Sequence, residues 1–316
     1  MPALHIRKQL VCSGVGAALV IAAAIGIFSL SAARAQNLAD WQTKAGSKIT
    51  FEVASVKPSQ GAPVPSNVAL TPWDDYSATN GRFGADATLS SYIQFAYKLW
   101  PTEIQSRELS RLPKWVSTDR YRIEARAATP KPTKDQLRLM VQSLLAERFQ
   151  LASHFEAREV PVFELKLAQP GKLGPSLVPH ADGPPCDKPG ASPGAGLPGF
   201  PGDCHSLSAI DKPGTMLIMV GSRDVTMDVL AGACSMLHLG LSRPVVDETG
   251  LTGRFDFTLE WAREPQAPAA SDAPPLPPSG PSPIEALRDQ LGLKLEPSKA
   301  SLPVLVIDKV ERPSQN

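Results

Sequence analysis

Four side chains in one proline-rich stretch could bind a metal ion or form a disulfide bond. They are His180, Cys186, Cys204 and His205. Thiolates and imidazoles are ligands that zinc commonly takes in proteins, so a zinc site is one interpretation. The spacing of the four residues matches no usual pair-and-pair zinc pattern, however, and the preferred prediction is a disulfide between Cys186 and Cys204. Cys234, which lies on the apolar stripe of a predicted helix, is predicted to stay a buried thiol.

A hydrolytic site would need a nucleophile, a base and a residue that orients the base. His154 is the best base, and folding would have to bring it to Asp119 and a serine, because triads are assembled in space. The chain contains no G-x-S-x-G motif and no phosphate-binding glycine loop. The preferred interpretation is a protein that is not an enzyme, with no catalytic residue, cofactor or metal assigned. A secreted hydrolase with its site around His154 is the alternative.

The stretch 243–261 joins a short apolar run, two turns and an alternating strand. Its structural residues are Pro244, Asp247, Gly250, Gly253 and Phe255. The proline favours extended backbone, the aspartate and the glycines favour turns, and the phenylalanine opens a strand with one apolar face. Asp247 and Asp256 could form a carboxylate pair for acid–base chemistry. The preferred interpretation is a turn-forming Asp247 and a solvated Asp256 on the polar face of the strand.

Hydrophobic periodicity predicts the elements that position these residues. The predicted helices are 88–100, 133–149, 226–239 and one that opens at Ser282 and stops at Gly292. The predicted strands are 51–56, 121–125, 150–154, 160–167, 216–220, 255–259, 293–295 and 304–310. Thr133 and Ser282 each have a Gln or Glu three residues later, the spacing of a capping box. Segments 169–214 and 263–282 are rich in proline and are predicted to carry little regular structure.

The two halves of the chain share a pattern that predicts an internal duplication. Leucine, phenylalanine, proline and valine positions recur at a constant offset of 142, without a gap. The pairs are Leu145 with Leu287, Phe149 with Leu291, Leu151 with Leu293, Pro161 with Pro303, Val162 with Val304 and Leu165 with Ile307. Each copy is predicted to run helix, strand, helix, strand, strand. The sequence therefore predicts an α+β fold of two pseudo-repeated modules, with helices packed on antiparallel sheet and long Pro/Gly-rich loops.

Several long motifs carry a family resemblance. They are FEVASVKPS, GRFGADATLSSYIQFAY, LRLMVQSLLAERFQL, RPVVDETGLTGRFDFTLEW and LPVLVIDKVERPS. Together they resemble an acidobacterial-type family of exported proteins, of the type called domain of unknown function 3738. The resemblance covers 51–314 and implies no activity and no catalytic residue. Segment 226–259 is also similar to the short N-terminal modules of secretins and TonB-dependent transporters, which implies contact with another protein.

The first 35 residues have the pattern of a secretory signal peptide. Arg7 and Lys8 precede an apolar run, and Ala33 and Ala35 frame an A-x-A cleavage site. A retained membrane anchor is the alternative, since the apolar run is near spanning length. Removing the three basic residues of this segment leaves 29 basic against 31 acidic residues, a balance that does not favour nucleic acid. We expect a periplasmic or extracellular protein, without a membrane span after cleavage, that binds an envelope protein or ligand.

The predicted domain organisation follows from these segments. Residues 1–35 form the signal peptide, 36–168 the first α+β module and 169–214 a Pro/Gly-rich loop. Residues 215–316 form the second α+β module, which contains the proline-rich linker 263–282.

Overall fold

The computed structural model describes residues 41–42, 44–46, 48–182, 186, 204–205, 207–212, 215–235, 241, 243–262 and 280–313. The predicted signal peptide 1–35 lies outside the described residues, as does most of the predicted linker 263–282. Within the described residues the chain has a mixed α+β fold, as the sequence predicts. No helix in this part of the chain has the length and apolar character needed to cross a membrane.

The described residues form six helices. They are α1 (Leu89–Ala96), α2 (Glu103–Ser110), α3 (Trp115–Thr118), α4 (Lys134–Arg148), α5 (Met227–Cys234) and α6 (Pro283–Leu291). The starts of α4 and α6 are confirmed, since Thr133 and Ser282 form complete capping boxes. Gly292 ends α6 in the left-handed conformation, with φ 70°. The predicted helix over 88–100 ends early, at Ala96, and Thr102 caps a separate helix, α2.

Ten strands form three sheets. They are β1 (Val53–Ser59), β2 (Arg82–Thr88), β3 (Arg120–Arg126), β4 (Ala152–Leu167), β5 (Leu177–Pro179), β6 (Ser208–Asp211), β7 (Leu217–Val225), β8 (Val245–Asp247), β9 (Phe255–Ala262) and β10 (Leu293–Lys309). The first sheet has the order β1–β3–β2, the second β10–β4–β8 and the third β5–β9–β7–β6. All pairs are antiparallel except β4 with β8. Strands β5 and β6 lie inside segment 169–214, where little regular structure was expected.

The long strands β4 and β10 correct the prediction of two short strands at each of these places. Each is continuous, and they pair with one another along nearly their whole length. The middle of β4 is largely exposed and rich in charge, so it carries no apolar pattern although its backbone stays in the ladder. In each module one long strand follows the last helix, β4 after α4 and β10 after α6.

The β4–β10 ladder has the symmetry that the offset of 142 requires. Glu159 pairs with Ser301, and these two positions are themselves 142 apart. The pair Leu165–Leu295 has the pair Ile307–Ser153 as its counterpart under the same offset. Each pair of the ladder therefore has a counterpart pair in the same ladder at an offset of 142. This is the symmetry of two equivalent antiparallel strands related by a twofold axis.

The backbone at the helix ends repeats in the same way. Gln150 follows α4 with φ 49°, and its counterpart Gly292 follows α6 with φ 70°. The pattern of sheets is also shared, because β3 is central beside β2 in the first sheet and β9 is central beside β7 in the third. The α+β fold with two pseudo-repeated modules is therefore present in both topology and local backbone.

Two large apolar cores each contain residues of both halves, and a small third cluster contains Val162, Val246 and Ala300. The first core contains Phe149 and Leu151, together with Leu305 from the far end of β10. The second contains Leu291 and Leu293, together with Leu165 from the far end of β4. Because each half contributes a buried leucine to the core of the other, the halves are tied together through side chains as well as through the ladder.

Candidate functional site

A cleft of about 420 Å³ lies between the two halves of the molecule. The first half contributes aromatic and aliphatic walls, including Trp100, Ile104 and Phe155. The second half contributes Val229 of α5 and Val246 of β8. A concave, mainly apolar space between two structural units is a typical place for a ligand.

The charged residues that line the cleft carry a net negative charge. Asp74, Asp228 and Asp247 line it, and Lys98 is the cationic lining residue among the described residues. The Lys98 Nζ lies 2.7 Å from Asp74 Oδ1, so its charge is already compensated. Burial acts to raise the pKa of Asp74, but Lys98 and Arg138 outweigh it and hold that pKa below its ordinary value. The three aspartates outnumber the one lysine in the lining, and this net negative charge favours a ligand with a cationic group.

One hydroxyl of the cleft wall stands out. Ser235 Oγ, just after α5, is buried without a hydrogen-bond partner among the described residues. A buried polar atom without a partner costs free energy, so this hydroxyl lowers the stability of the folded protein.

The first wall of the cleft is held by a fully buried arginine on α4. Arg138 Nη2 donates to the backbone carbonyls of Thr71, Pro72 and Trp73, at 3.2, 3.1 and 2.6 Å. Arg138 also pairs with Asp74 through Nη1, at 3.2 Å. These bonds fix the loop so that the indole of Trp73 meets the ring of Trp100 edge-on, with 4.9 Å between ring centroids. Trp100 falls within the predicted helix 88–100, whereas it follows α1 and forms part of the cleft wall.

A second buried cation supports the same loop. Lys134 Nζ lies 2.8 Å from Asp75 Oδ1 and 3.0 Å from Thr71 Oγ1. Burial lowers the pKa of Lys134, while the contact with Asp75 opposes that effect.

The two cleft walls are attached to the ladder at equivalent positions, one by strand β8 and the other by the side chain of Gln105. Strand β8 pairs with β4 at Phe163, whose N–H donates to the Pro244 carbonyl at 2.8 Å. The position 142 residues later is Leu305 on β10, where the side-chain amide of Gln105 takes the place of a strand. Its Nε2 donates to the Leu305 carbonyl at 3.2 Å, and its Oε1 accepts from the Leu305 N–H at 3.0 Å. Gln105 is buried, so these bonds are shielded from water.

Two of the structural residues of stretch 243–261, Pro244 and Asp247, line the second wall. Asp247 ends β8, and its Oδ1 accepts from the N–H and hydroxyl of Thr249, at 2.9 and 2.7 Å. Gly250 and Gly253 have φ of 70° and 100°, in the left-handed region that glycine tolerates. Phe255 is buried at the start of β9.

The cysteine–histidine group lies on the third sheet and is not among the residues that line the cleft. Cys186 and Cys204 are joined by a disulfide. His180 Nε2 lies 3.7 Å from Cys186 Sγ, and His180 Nδ1 lies 2.7 Å from Asp256 Oδ1. The interpretation of Asp256 as a solvated strand residue is wrong, because it is 4% exposed. Segment 177–180 runs alongside β9 and covers that carboxylate.

His154 lies on the exposed part of β4, with about half of its side chain accessible. Its Nδ1 lies 2.9 Å from Asp308 Oδ2, and its Nε2 lies 3.2 Å from Glu156 Oε1. These contacts raise the pKa of His154, Asp308 acting most strongly. Asp119, the acid considered with His154, bonds instead to Arg312 at 2.6 Å. His154 is not among the residues that line the cleft.

Fold and site together define a two-module α+β protein with a cleft between its halves. The chain belongs to the family described as "Protein of unknown function (DUF3738)", whose model matches residues 90–310. No curated protein matches the chain, and no solved structure matches it. The family match spans the cleft residues from Lys98 to Pro303 and the whole β4–β10 ladder.

Proposed function

We propose that the protein is a non-enzymatic envelope protein that binds a small ligand in the cleft between its two halves. The observation that carries the proposal is the cleft itself, with its aromatic and aliphatic walls and a few carboxylates. Such a site suits a ligand with an apolar body and a cationic or hydroxyl-bearing group. The walls are fixed by buried contacts such as those of Arg138 and Gln105, which favours binding to a preformed site.

The proposed location is the periplasm or the extracellular space. Residues 1–35 have the sequence of a signal peptide cleaved after Ala35, and the Cys186–Cys204 disulfide suits an oxidising compartment. The affiliation with acidobacterial-type exported proteins and the similarity of 226–259 to secretin and TonB modules belong to the same proposal. They favour an envelope setting in which ligand binding serves sensing or assembly.

The hydrolase alternative around His154 has less support. The hydrogen-bond partners of His154 among the described residues are two carboxylates, with no hydroxyl between them. A half-exposed histidine on a strand ladder lacks the water-excluded pocket that an activated nucleophile uses.

Thermal unfolding in the presence of a defined ligand panel tests the proposal. The panel pairs aromatic and aliphatic amines and polyols with carboxylates of the same carbon skeleton. A ligand at 100 times its dissociation constant stabilises a protein by about 2.7 kcal/mol, which is readily seen as a rise in Tm. We expect amines or polyols to raise Tm in a concentration-dependent way and the matched carboxylates to leave it unchanged.

A pair of identical substitutions locates the binding. Val229→Trp fills the cleft, whereas Val178→Trp places the same ring on exposed β5, outside the cleft lining. The stabilisation should disappear in the first variant and persist in the second. A panel without any stabilising member, or a response that survives Val229→Trp, would count against the proposal.

A further inference from the structure

Metal-binding side chains converge beside the disulfide of the third sheet. A ring nitrogen of His180, Sγ of Cys186 and a carboxylate oxygen of Asp224 lie within 4.8 Å of one another. Cys204 Sγ is bonded to Cys186 Sγ, so a second sulfur lies next to this group. Two sulfurs, one imidazole nitrogen and one carboxylate oxygen make a donor set that zinc accepts in tetrahedral geometry.

The imidazole of His180 is oriented as a metal ligand would be. Its Nδ1 faces the buried carboxylate of Asp256 at 2.7 Å, which favours a proton on Nδ1. The lone pair of Nε2 is then directed at Cys186 Sγ, 3.7 Å away. A carboxylate behind a histidine is the usual second shell of zinc sites, where it fixes the tautomer and raises the basicity of the ligand.

Asp224 is directed toward the same place by an irregularity of the sheet. The register of β7 with β9 shifts between Ser222 and Val225, and Asp224 has φ 53°. Bulges of this kind redirect side chains, and a positive φ at a residue other than glycine is uncommon. The Asp224 N–H donates to Asp256 Oδ1 at 2.8 Å, so one buried carboxylate holds both the histidine and the aspartate of the group.

The cysteine end of the group is anchored to the same bulge. Cys204 forms a bridge with Arg223, and the His205 N–H donates to the Arg223 carbonyl at 2.8 Å. The side chain of His205 lies 3.4 Å from Asp224 Oδ2, and Arg254 forms an ion pair with Oδ1 of the same residue. The metal-binding side chains are thus held by Asp256 and by the contacts of Cys204 and His205 with the bulge of β7.

We propose that reduction of the Cys186–Cys204 disulfide creates a zinc site formed by Cys186, Cys204, His180 and Asp224. A dithiol reductant supplies two electrons and two protons, so the protein S–S bond breaks, two thiols form and the reductant closes its own disulfide. Zinc then displaces one proton from each thiol and binds two thiolates, the His180 Nε2 and a carboxylate oxygen. The site is distinct from the cleft and independent of its ligand.

Cobalt binding to the reduced protein tests this proposal. The full chain carrying Cys12→Ala is reduced with a dithiol, freed of it without air, and titrated with Co²⁺. We expect one equivalent to bind, with a thiolate-to-cobalt charge-transfer band that Zn²⁺ abolishes. The disulfide form should give no such band, because its sulfurs are not thiolates.

Variants assign the ligands and separate them from structural effects. Asp256→Asn should weaken metal binding about 10- to 100-fold through the second shell. Should that variant fail to fold, His180→Gln provides the test at a residue whose side chain is 20% exposed. Cys234→Ala is the control, since burial raises the pKa of that thiol to about 12 and keeps it out of the titration. The proposal is overturned by reduced protein without the band, by an equal band in the disulfide form, or by wild-type affinity in His180→Gln.

Discussion

The indole ring of Trp100 lies directly against the backbone of Gly232, and both residues line the cleft. A Cβ at position 232 would lie 2.3 Å from Cε2 of the ring and 2.6 Å from Cδ2. Trp100 belongs to the first half and Gly232 to the second, so the contact joins the segment after α1 to α5. The spacing of the two halves therefore depends on the absence of a side chain at Gly232.

Gly232→Ala should destabilise the protein, although alanine is the better helix former. Helix propensity alone would favour the substitution by about 1 kcal/mol. The ring cannot move away easily because Trp73 packs edge-on against it, so we expect overpacking to dominate, with a net loss of about 1–3 kcal/mol. Urea unfolding measures the change. In a Trp100→Leu background the loss should shrink, and an unchanged loss there would show that the ring is not its cause.

Removing the buried guanidinium of Arg138 should be more damaging. Arg138→Met removes the donor of three backbone carbonyls, whereas Asp74 and Asp135 keep Lys98 as a partner. Leaving a buried polar group without its hydrogen-bond partner costs about 1–3 kcal/mol. Arg107→Met is the matched control, since its pair with Glu103 is exposed and is worth about 0.5 kcal/mol. Equal urea midpoints for the two variants would contradict the role given to Arg138.

The sequence predicted elements best where a local rule decides them. The capping boxes at Thr133 and Ser282 place two helix starts correctly, because the bonds involved lie within four residues. Helix α2 was missed, since Pro101 suggested an end to helical structure and only Ile104 and Leu109 are apolar in α2. The continuity of β4 and β10 was missed because their exposed middle is held by backbone pairing, which leaves no apolar pattern.

The candidate site was less predictable because it consists of contacts between distant segments. Asp256 alternates with apolar neighbours, as a solvated strand residue does, and only its contact with His180 reveals its burial. Trp100 and Gly232 are each ordinary in their own segments, and the cleft arises from the pairing of β4 with β10. The disulfide between Cys186 and Cys204 was predictable because few cysteines compete for partners.

Gln150 and Gly292 follow equivalent helices, and exchanging their residue types gives two predictions of opposite sign. Gln150 adopts the left-handed conformation that glycine adopts at position 292. Gln150→Gly should therefore stabilise the protein by about 0.5–1 kcal/mol, the relief of left-handed strain exceeding the entropy of glycine in the unfolded chain. Gly292→Gln should destabilise it, because a Cβ would lie 2.6 Å from the Gly174 backbone nitrogen. Thermal unfolding of both variants gives the signs, and two changes of the same sign would contradict the equivalence.

The titration of His154 should report its two carboxylates. Asp308, and to a lesser degree Glu156, raises the pKa of the imidazole in the folded protein. A raised pKa means that the folded state binds the proton more tightly, so the stabilisation is complete below about pH 6.5, the ordinary pKa of histidine. The stabilisation is lost as pH rises through the higher folded-state pKa. NMR of the ring protons should give a midpoint above about 6.5, and Asp308→Asn should lower it more than Glu156→Gln does. If neither variant moves the midpoint, the contacts on the exposed face of β4 are not formed in solution.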